Sequence, residues 1–166
     1  LKQNRESTDM TNREILLARK IFPSQQTENI AFKNLAGRQF AENGANWGFH
    51  ANDISHGMAA GDLDGDGDLD VVVNNLNAPV GVYRNNSSRP RLLVRLKGPN
   101  NNTQGIGARV EVKHGKFVQS QEVIAGGRYL SSDDPARMFS MMKGPAKMTV
   151  TWPDLKVSVI DNIEPN

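Results

Sequence analysis

The segment from Asp62 to Asp70, DLDGDGDLD, is the feature that most restricts how this chain can fold. Its five aspartates occupy alternate positions. In a regular β-strand their carboxylates would therefore share one face at a spacing of about 6.6 Å, with nothing to offset their repulsion. Gly65 and Gly67 give the backbone the freedom to curl instead. We predict a loop whose carboxylates turn toward a common centre.

A centre of several carboxylates suits a hard cation that prefers oxygen ligands. We predict calcium, with magnesium as the second choice because magnesium requires a tighter octahedron. The predicted ligands are the side chains of Asp62, Asp64, Asp66 and Asp70 and the backbone carbonyl of Asp68. The alternative is a solvated acidic turn that binds no metal.

The spacing also bears on which kind of calcium loop this is. An EF-hand loop has acidic residues at its first, third and fifth positions and glycine at the sixth, and all four match here. Its twelfth residue is a bidentate glutamate, however, and here that residue is Val73. The β-branched run from Val71 to Val73 indicates a strand where an EF-hand has a helix. These differences argue against an EF-hand or dockerin loop and leave Asp70 as the closing ligand.

The charges outside the acidic loop restrict the classes of partner that the chain is expected to bind. The net charge is +2, but without the five loop aspartates the other 18 − 5 = 13 acids face 20 basic residues. Those basic residues are scattered and accompanied by only two Trp and two Tyr, so we do not expect nucleic-acid binding. No apolar run approaches the roughly 18 residues of a membrane span. The absence of cysteine excludes disulfides and thiolate metal sites.

The sequence pattern predicts few regular elements in the first part of the chain. Residues 1–29 are expected to be a leader with one short helix, capped by Thr11 or Asn12 and stopped by Pro23. Since the chain begins at Leu1 without a signal sequence, we expect a piece of a longer or processed product. A turn at Gly37 between two phenylalanines predicts a hairpin. Strands are expected on both sides of the acidic loop, and another at VGVY.

From Arg91 onward the pattern changes to short segments that alternate apolar and polar residues, separated by Gly, Pro, Asn or Asp. Examples are RLLVRLKG, GARVEVKHG and KMTVTWPD. This period of two predicts an antiparallel β unit, most simply a sandwich. We place the boundary between the two parts near residues 88–90, which gives domains at 30–89 and 90–166.

Five segments carry a resemblance to known families. HGMAAGDLDGDGDLDVVVNN resembles the calcium-binding signature of the FG-GAP or VCBS repeats that build integrin-type β-propellers, and AFKNLAGRQFAE resembles the strand pair that opens such a repeat. GIGARVEV, AGGRYLSSDDP and VTWPDLKVSVIDNIEPN are similar to the ASPIC/UnbV domain, which follows such repeats in the cartilage acidic protein family and in bacterial surface proteins.

The resemblance implies an all-β chain with a single FG-GAP-like propeller blade carrying the calcium loop, a C-terminal antiparallel β-sandwich and one short N-terminal helix. FG-GAP repeats are calcium-stabilised scaffolds, and the ASPIC/UnbV domain has no assigned activity to transfer. The chain departs from the family at MFSMMKG, where Met142 replaces a glycine, so we expect that turn to be rebuilt around Gly144 and Pro145.

The resulting functional hypothesis is a non-enzymatic, calcium-binding extracytoplasmic module, secreted or at the cell surface, with a structural or adhesive role. Its partners would be calcium and a protein or glycan ligand. One alternative is a surface module for capturing a glycan or peptide through loops near Trp47 or Tyr129, with Trp47 as a sugar-stacking platform. Another is a metal-dependent hydrolase that uses the aspartate cluster.

Other candidate residues have simpler interpretations. Ser131, Ser132, Asp133 and Asp134 predict a polar turn rather than a nucleophile with its partners, although the aspartate pair is also an alternative site for a second cation. The three histidines show no ligand spacing. Trp152 is expected on a sandwich face. Core filling is predicted for Met138, Met141, Met142 and Met148.

Overall fold

The computed structural model describes residues 11–19, 23–35 and 37–165, and these form short strands with one α-helix and one 3-10 turn. The helix α1 spans Asn12–Arg19, and the 3-10 turn spans Ala45–Trp47. The strands are β1 (Thr27–Glu28), β2 (Phe32–Asn34), β3 (Phe40–Glu42), β4 (Asn52–Asp53), β5 (Ser55–Gly61), β6 (Asp70–Asn75), β7 (Gly81–Tyr83), β8 (Arg91–Val94), β9 (Arg109–His114), β10 (Phe117–Glu122), β11 (Gly127–Arg128), β12 (Ser131–Ser132), β13 (Arg137–Ser140), β14 (Ala146–Thr151) and β15 (Val157–Ile163).

The helix begins with a capping box, as the sequence predicted for Thr11. The Glu14 backbone N–H donates to Thr11 Oγ1 at 3.3 Å, and the Thr11 N–H donates back to Glu14 Oε2 at 2.8 Å. These reciprocal bonds satisfy two donors that a helix start leaves free. The expected leader before Thr11 lies outside the described residues. No helix of the described segments is long and apolar enough to cross a membrane.

The predicted hairpin is confirmed as the antiparallel pair β2 and β3, with Gly37 in its connection at a φ of 111°. Next along the chain, β5, β6 and β7 form a three-stranded antiparallel sheet in sequence order. The last pair between β5 and β6 joins Gly61 to Asp70. The acidic loop therefore connects two paired strands, and their register fixes both of its ends.

The C-terminal part is a sandwich, as predicted. A four-stranded antiparallel sheet in the order β10, β9, β14, β15 packs on the two-stranded pair of β8 and β13. Alternate residues of β9 and β14, such as Val110, Val112 and Val150, are at most 2% exposed. They meet Val94 of β8 and Phe139 of β13. Burial of each such side chain contributes about 1.5–3 kcal/mol to folding, so this cluster is the main core.

The methionine prediction holds for only part of its set. Met141 and Met148 are buried in the sandwich core, as expected. Met142 is 42% exposed, so its predicted core role is wrong. Met142 follows the buried Met141 beyond the last paired residue of β13, so it lies on the outer side. Gly144 takes a positive φ of 99°, in agreement with a turn rebuilt at that position.

The two parts of the chain meet where residues 131–134 lie along β5. Ser131 Oγ donates to the Met58 carbonyl at 2.5 Å, and the Asp134 N–H donates to the Ala60 carbonyl at 2.9 Å. The Ala60 N–H donates to Asp133 Oδ1 at 2.8 Å. This segment of the sandwich therefore acts as a clamp on the sheet that carries the acidic loop, and we call residues 131–134 the clamp segment.

The clamp segment also corrects one reading of the sequence. Arg128 donates to Asp133 at 2.5 Å, and Arg95 donates to both carboxylate oxygens of Asp134 at 2.8 and 3.0 Å. Both carboxylates are therefore committed to arginines and backbone groups. The alternative that this aspartate pair binds a second cation stays a prediction, and a short strand, β12, replaces the predicted polar turn at Ser131 and Ser132.

Candidate metal centre

Two glycines allow the acidic loop to curl. Gly65 and Gly67 have φ values of 79° and 87°, in the left-handed region that other residues adopt at a cost. A β-carbon on Gly65 would meet no atom within 4 Å. Glycine is therefore favoured at position 65 by the backbone angle and not by lack of space for a side chain.

Hydrogen bonds from the loop backbone hold its first three carboxylates in place. Asp62 accepts from the N–H groups of Gly65 and Gly67 at 2.8 and 3.1 Å. Asp64 accepts from the Asp66 N–H at 3.3 Å, and Asp66 accepts from the Asp68 N–H at 3.0 Å. Short side chains that bond to a backbone a few residues later stabilise tight turns. The loop thus keeps its shape through its own aspartates.

Asp70 anchors the far end of the loop. Its carboxylate is 1% exposed and accepts from the N–H of Leu63 at 2.9 Å and from the N–H of Asn85 at 2.8 Å. Leu63 lies at the start of the loop, and Asn85 lies just after β7. One buried carboxylate therefore joins both ends of the loop to the third strand of the sheet.

The structure brings Asp62, Asp64 and Asp70 together. Each of these residues offers a carboxylate oxygen, and the three oxygens lie within 4.8 Å of one another. They form the one group of this type among the described residues. Three carboxylates at this separation repel each other unless a cation or protons neutralise them. An all-oxygen donor set suits calcium or magnesium better than a softer metal.

Asp68 is the most unusual member of the loop. Its side chain is 1% exposed, and neither carboxylate oxygen makes a hydrogen bond. Burial, together with the charge of Asp66, raises the pKa of Asp68, and the opposing charge of Arg91 limits that rise. A buried carboxylate without hydrogen bonds costs folding free energy. Its burial in the ionised form therefore requires positive charge close by.

Arg91, which sequence reasoning missed, supplies part of that charge. It is the first residue of β8, and its side chain is 15% exposed. One guanidinium nitrogen lies 3.2 Å from Asp68 Oδ2. The other lies 3.3 Å from Asp66 Oδ1 and donates to the Asp66 carbonyl at 2.8 Å. The acidic loop is therefore bonded directly to the sandwich.

The five predicted ligands thus occupy two environments. Asp62, Asp64 and Asp70 face one another, whereas Asp66 and Asp68 face Arg91. A more exposed arginine, Arg84, lies 3.8 Å from Asp64 at the rim. The donor set fits a hard cation, and the full ligand set predicted from the spacing stays a prediction.

The all-β fold and the aspartate-rich loop between β5 and β6 are typical of β-rich repeat modules whose loop suits a cation. Comparison with family descriptions places the chain within that class. Residues 56–89 match the family described as FG-GAP repeat, and residues 98–166 match the family described as ASPIC and UnbV. The chain therefore contains an FG-GAP repeat followed by an ASPIC/UnbV domain, which confirms the resemblance found in the sequence. No curated protein matches the chain.

Proposed function

We propose that this chain is a non-enzymatic, calcium-binding module of an extracytoplasmic protein, with a structural or adhesive role. The observation that carries the proposal is the meeting of carboxylate oxygens from Asp62, Asp64 and Asp70 within 4.8 Å of one another. The FG-GAP match supports the same conclusion, because repeats of this family often bind calcium.

In the proposed site, Asp62, Asp64 and Asp70 form the centre, and the Asp66 side chain and the Asp68 backbone carbonyl complete the ligand set. A bound calcium ion would neutralise the repulsion within the loop. The chain's own contribution is to hold the carboxylates in place through the backbone N–H groups of Leu63, Gly65, Gly67 and Asn85.

The high concentration of calcium outside cells supports the proposed location outside the cytoplasm. Extracellular calcium sites work with dissociation constants of about 10⁻⁴ to 10⁻³ M, because the ion is plentiful there. At a calcium concentration ten times the dissociation constant, binding stabilises the fold by about 1.4 kcal/mol. The loop does not need to be a tight site in order to stabilise the module.

A structural role rather than catalysis is supported by how the hydroxyl and carboxylate groups outside the loop are used. Ser131, Asp133 and Asp134, the residues that resembled a nucleophile with its partners, hold the clamp segment against β5. Their contacts join the two parts of the chain. FG-GAP and ASPIC/UnbV domains are, in addition, typically non-catalytic.

The decisive experiment is thermal unfolding in EDTA, followed by addition of calcium or magnesium. We expect calcium to raise the midpoint by a few degrees, and magnesium to raise it less. Asp64→Asn should abolish the calcium effect, because it removes one carboxylate of the cluster. Asp161→Asn, which changes an exposed acid on β15, is the matched control and should respond to calcium like the parent protein. A midpoint that calcium does not move in the parent protein would overturn the proposal.

A further inference from the structure

A cavity of about 880 Å³ lies beside the acidic loop, which contributes Leu69 to its lining. Its walls come from the start of the β2 hairpin, the 3-10 turn, one face of the β5–β7 sheet and the segment that follows β7. Its volume falls in the range of roughly 300–1,000 Å³ that is typical of small-molecule sites. None of the proposed calcium ligands lines this cavity.

One wall of the cavity is aromatic. Phe49 and Tyr83 form a tilted pair with ring centroids 4.7 Å apart, and both line the cavity beside Trp47. The Trp47 backbone N–H donates to the carbonyls of Asn43 and Gly44 at 3.2 and 3.1 Å, so the main chain at this position is fixed. Its indole is nevertheless 54% exposed. A flat apolar ring held at a cavity wall is a suitable surface for the C–H face of a sugar ring.

The polar part of the cavity is positively charged. Lys33, Arg84 and Arg89 line it, and none of the described lining residues is Asp or Glu. Arg84 lies near Asp64, but neither Lys33 nor Arg89 forms an ion pair with a carboxylate of the described residues. A cavity lined by cations of one sign raises the local concentration of anions. The occupant that this charge favours is therefore an anion.

Amide side chains add a third kind of contact. Asn34, Asn85 and Asn86 also line the cavity. The side-chain oxygens of Asn34 and Asn85 accept from the N–H groups of Gly37 and Ser87, and an amide also has two N–H donors, which match the hydroxyl oxygens of a carbohydrate. An aromatic surface, amides and unpaired cations occur together within one cavity, and this combination suits a ring that carries both hydroxyls and a carboxylate.

We propose that this cavity binds an acidic sugar, with the sugar ring stacked on Trp47 and its carboxylate toward Lys33 and Arg89. This proposal makes the hypothesis of a glycan ligand more specific, and it places the ligand at Trp47 rather than at Tyr129. Tyr129 is 70% exposed and does not line the cavity. The proposal does not depend on the metal centre, so either can fail without the other.

The test uses Trp47 as its own reporter. The chain has two tryptophans, so Trp152→Phe leaves Trp47 as the sole indole. Its fluorescence is followed in calcium-containing buffer during titration with cellobiouronic acid, with neutral cellobiose and with tetraglutamate. We expect saturable binding of cellobiouronic acid with a dissociation constant on the order of 0.1–1 mM. Cellobiose should bind at least about tenfold more weakly, because it lacks the carboxylate.

Matched variants identify the site by calorimetry. Trp47→Ala should abolish binding, and Lys33→Gln and Arg89→Gln should each weaken it by about threefold or more. Tyr129→Ala removes an even more exposed ring outside the cavity, and Lys97→Gln removes an exposed charge elsewhere. Both variants should bind like the parent protein. Trp47→Tyr keeps an aromatic surface and should retain binding, which separates loss of the surface from misfolding.

Three results would overturn the proposal. The first is equal binding of cellobiose and cellobiouronic acid, since the cations would then play no part. The second is tighter binding of tetraglutamate through the same residues, which would assign the cavity to acidic peptides. The third is the absence of saturable binding by a protein whose cooperative thermal unfolding shows that it is folded.

Discussion

Arg91 determines much of the electrostatic balance of the acidic loop. Its guanidinium lies within 3.3 Å of a carboxylate oxygen of both Asp66 and Asp68, and Asp68 is almost fully buried. Removing one partner of a buried pair leaves the other charge uncompensated, which costs much more than the pair contributes. The arginine is therefore needed to balance the buried carboxylate of Asp68.

We expect Arg91→Met to lower the free energy of unfolding by about 3 kcal/mol in EDTA, measured by urea denaturation. Calcium should restore more stability to this variant than it adds to the parent protein, because the ion supplies the missing positive charge. Arg95→Met is the control. Arg95 is 57% exposed and pairs with Asp134, so its loss should cost less than about 1 kcal/mol. Equal losses in the two variants would contradict the special role of Arg91.

At the scale of secondary structure, the clamp segment joins the ASPIC/UnbV domain to the repeat through charge-assisted hydrogen bonds. Burial would raise the pKa of Asp133, but its hydrogen bonds with Arg128 and the Ala60 N–H hold the pKa below its usual value. The pKa of Asp134 is lowered in the same way, against its burial, by Arg95 and the Ala136 N–H. The ionised forms of both residues are therefore favoured by folding.

These shifts give the clamp segment a definite pH dependence. A carboxyl with a lowered folded-state pKa stabilises the fold above its unfolded value, here 3.8, and loses that contribution as the pH falls through the lower folded value. Asp133→Asn combined with Asp134→Asn should cost about 2 kcal/mol at pH 6. Near pH 2 the difference between the variant and the parent protein should be smaller, because the unfolded carboxyls, with a pKa of 3.8, are then protonated. Urea denaturation at both pH values tests this, and a loss of equal size at pH 2 would refute it.

The secondary structure also shows which signals the sequence carries. Strands with clear alternation, such as β9 and β14, were predictable because their buried positions differ from their exposed neighbours every second residue. Strand β13 was missed, because RMFS is followed directly by two more methionines and shows no period. Phe139 within it is nevertheless fully buried.

The metal centre, too, was predictable from the sequence only in part. The alternation of aspartates and glycines predicted a curled loop, and three of its carboxylates do meet, because all the information lies within a few residues. Arg91 gave no local signal. It comes 25 residues after Asp66 in the chain and reaches the loop only because the sandwich packs beside the repeat.

At the scale of the whole molecule, two connections make the repeat and the sandwich one structure: Arg91 at the acidic loop and the clamp segment at β5. Stability gained in one part is transmitted to the other when the contacts between them are formed only in the folded state. We therefore expect the calcium loop and the sandwich core to unfold together.

The two tryptophans allow this to be measured, since Trp47 lines the cavity beside the β5–β7 sheet and Trp152 packs against the sandwich core. Trp152→Phe and Trp47→Phe each leave one indole, whose fluorescence reports one part of the chain during heating. Both should show an upward shift of the same size when calcium is added, each relative to its own EDTA midpoint. If only the Trp47 signal responds to calcium, the two parts unfold independently.

The clamp segment has a consequence for the protein in concentrated solution. Strand β5 lies at the border of its sheet, and a border strand offers free N–H and C=O groups on which another chain can add a strand. Here the outward groups of Met58 and Ala60 are already bonded to Ser131, Asp133 and Asp134. The opposite border, β7, is only three residues long. The contact that joins the two domains thereby also protects the repeat against aggregation by strand addition.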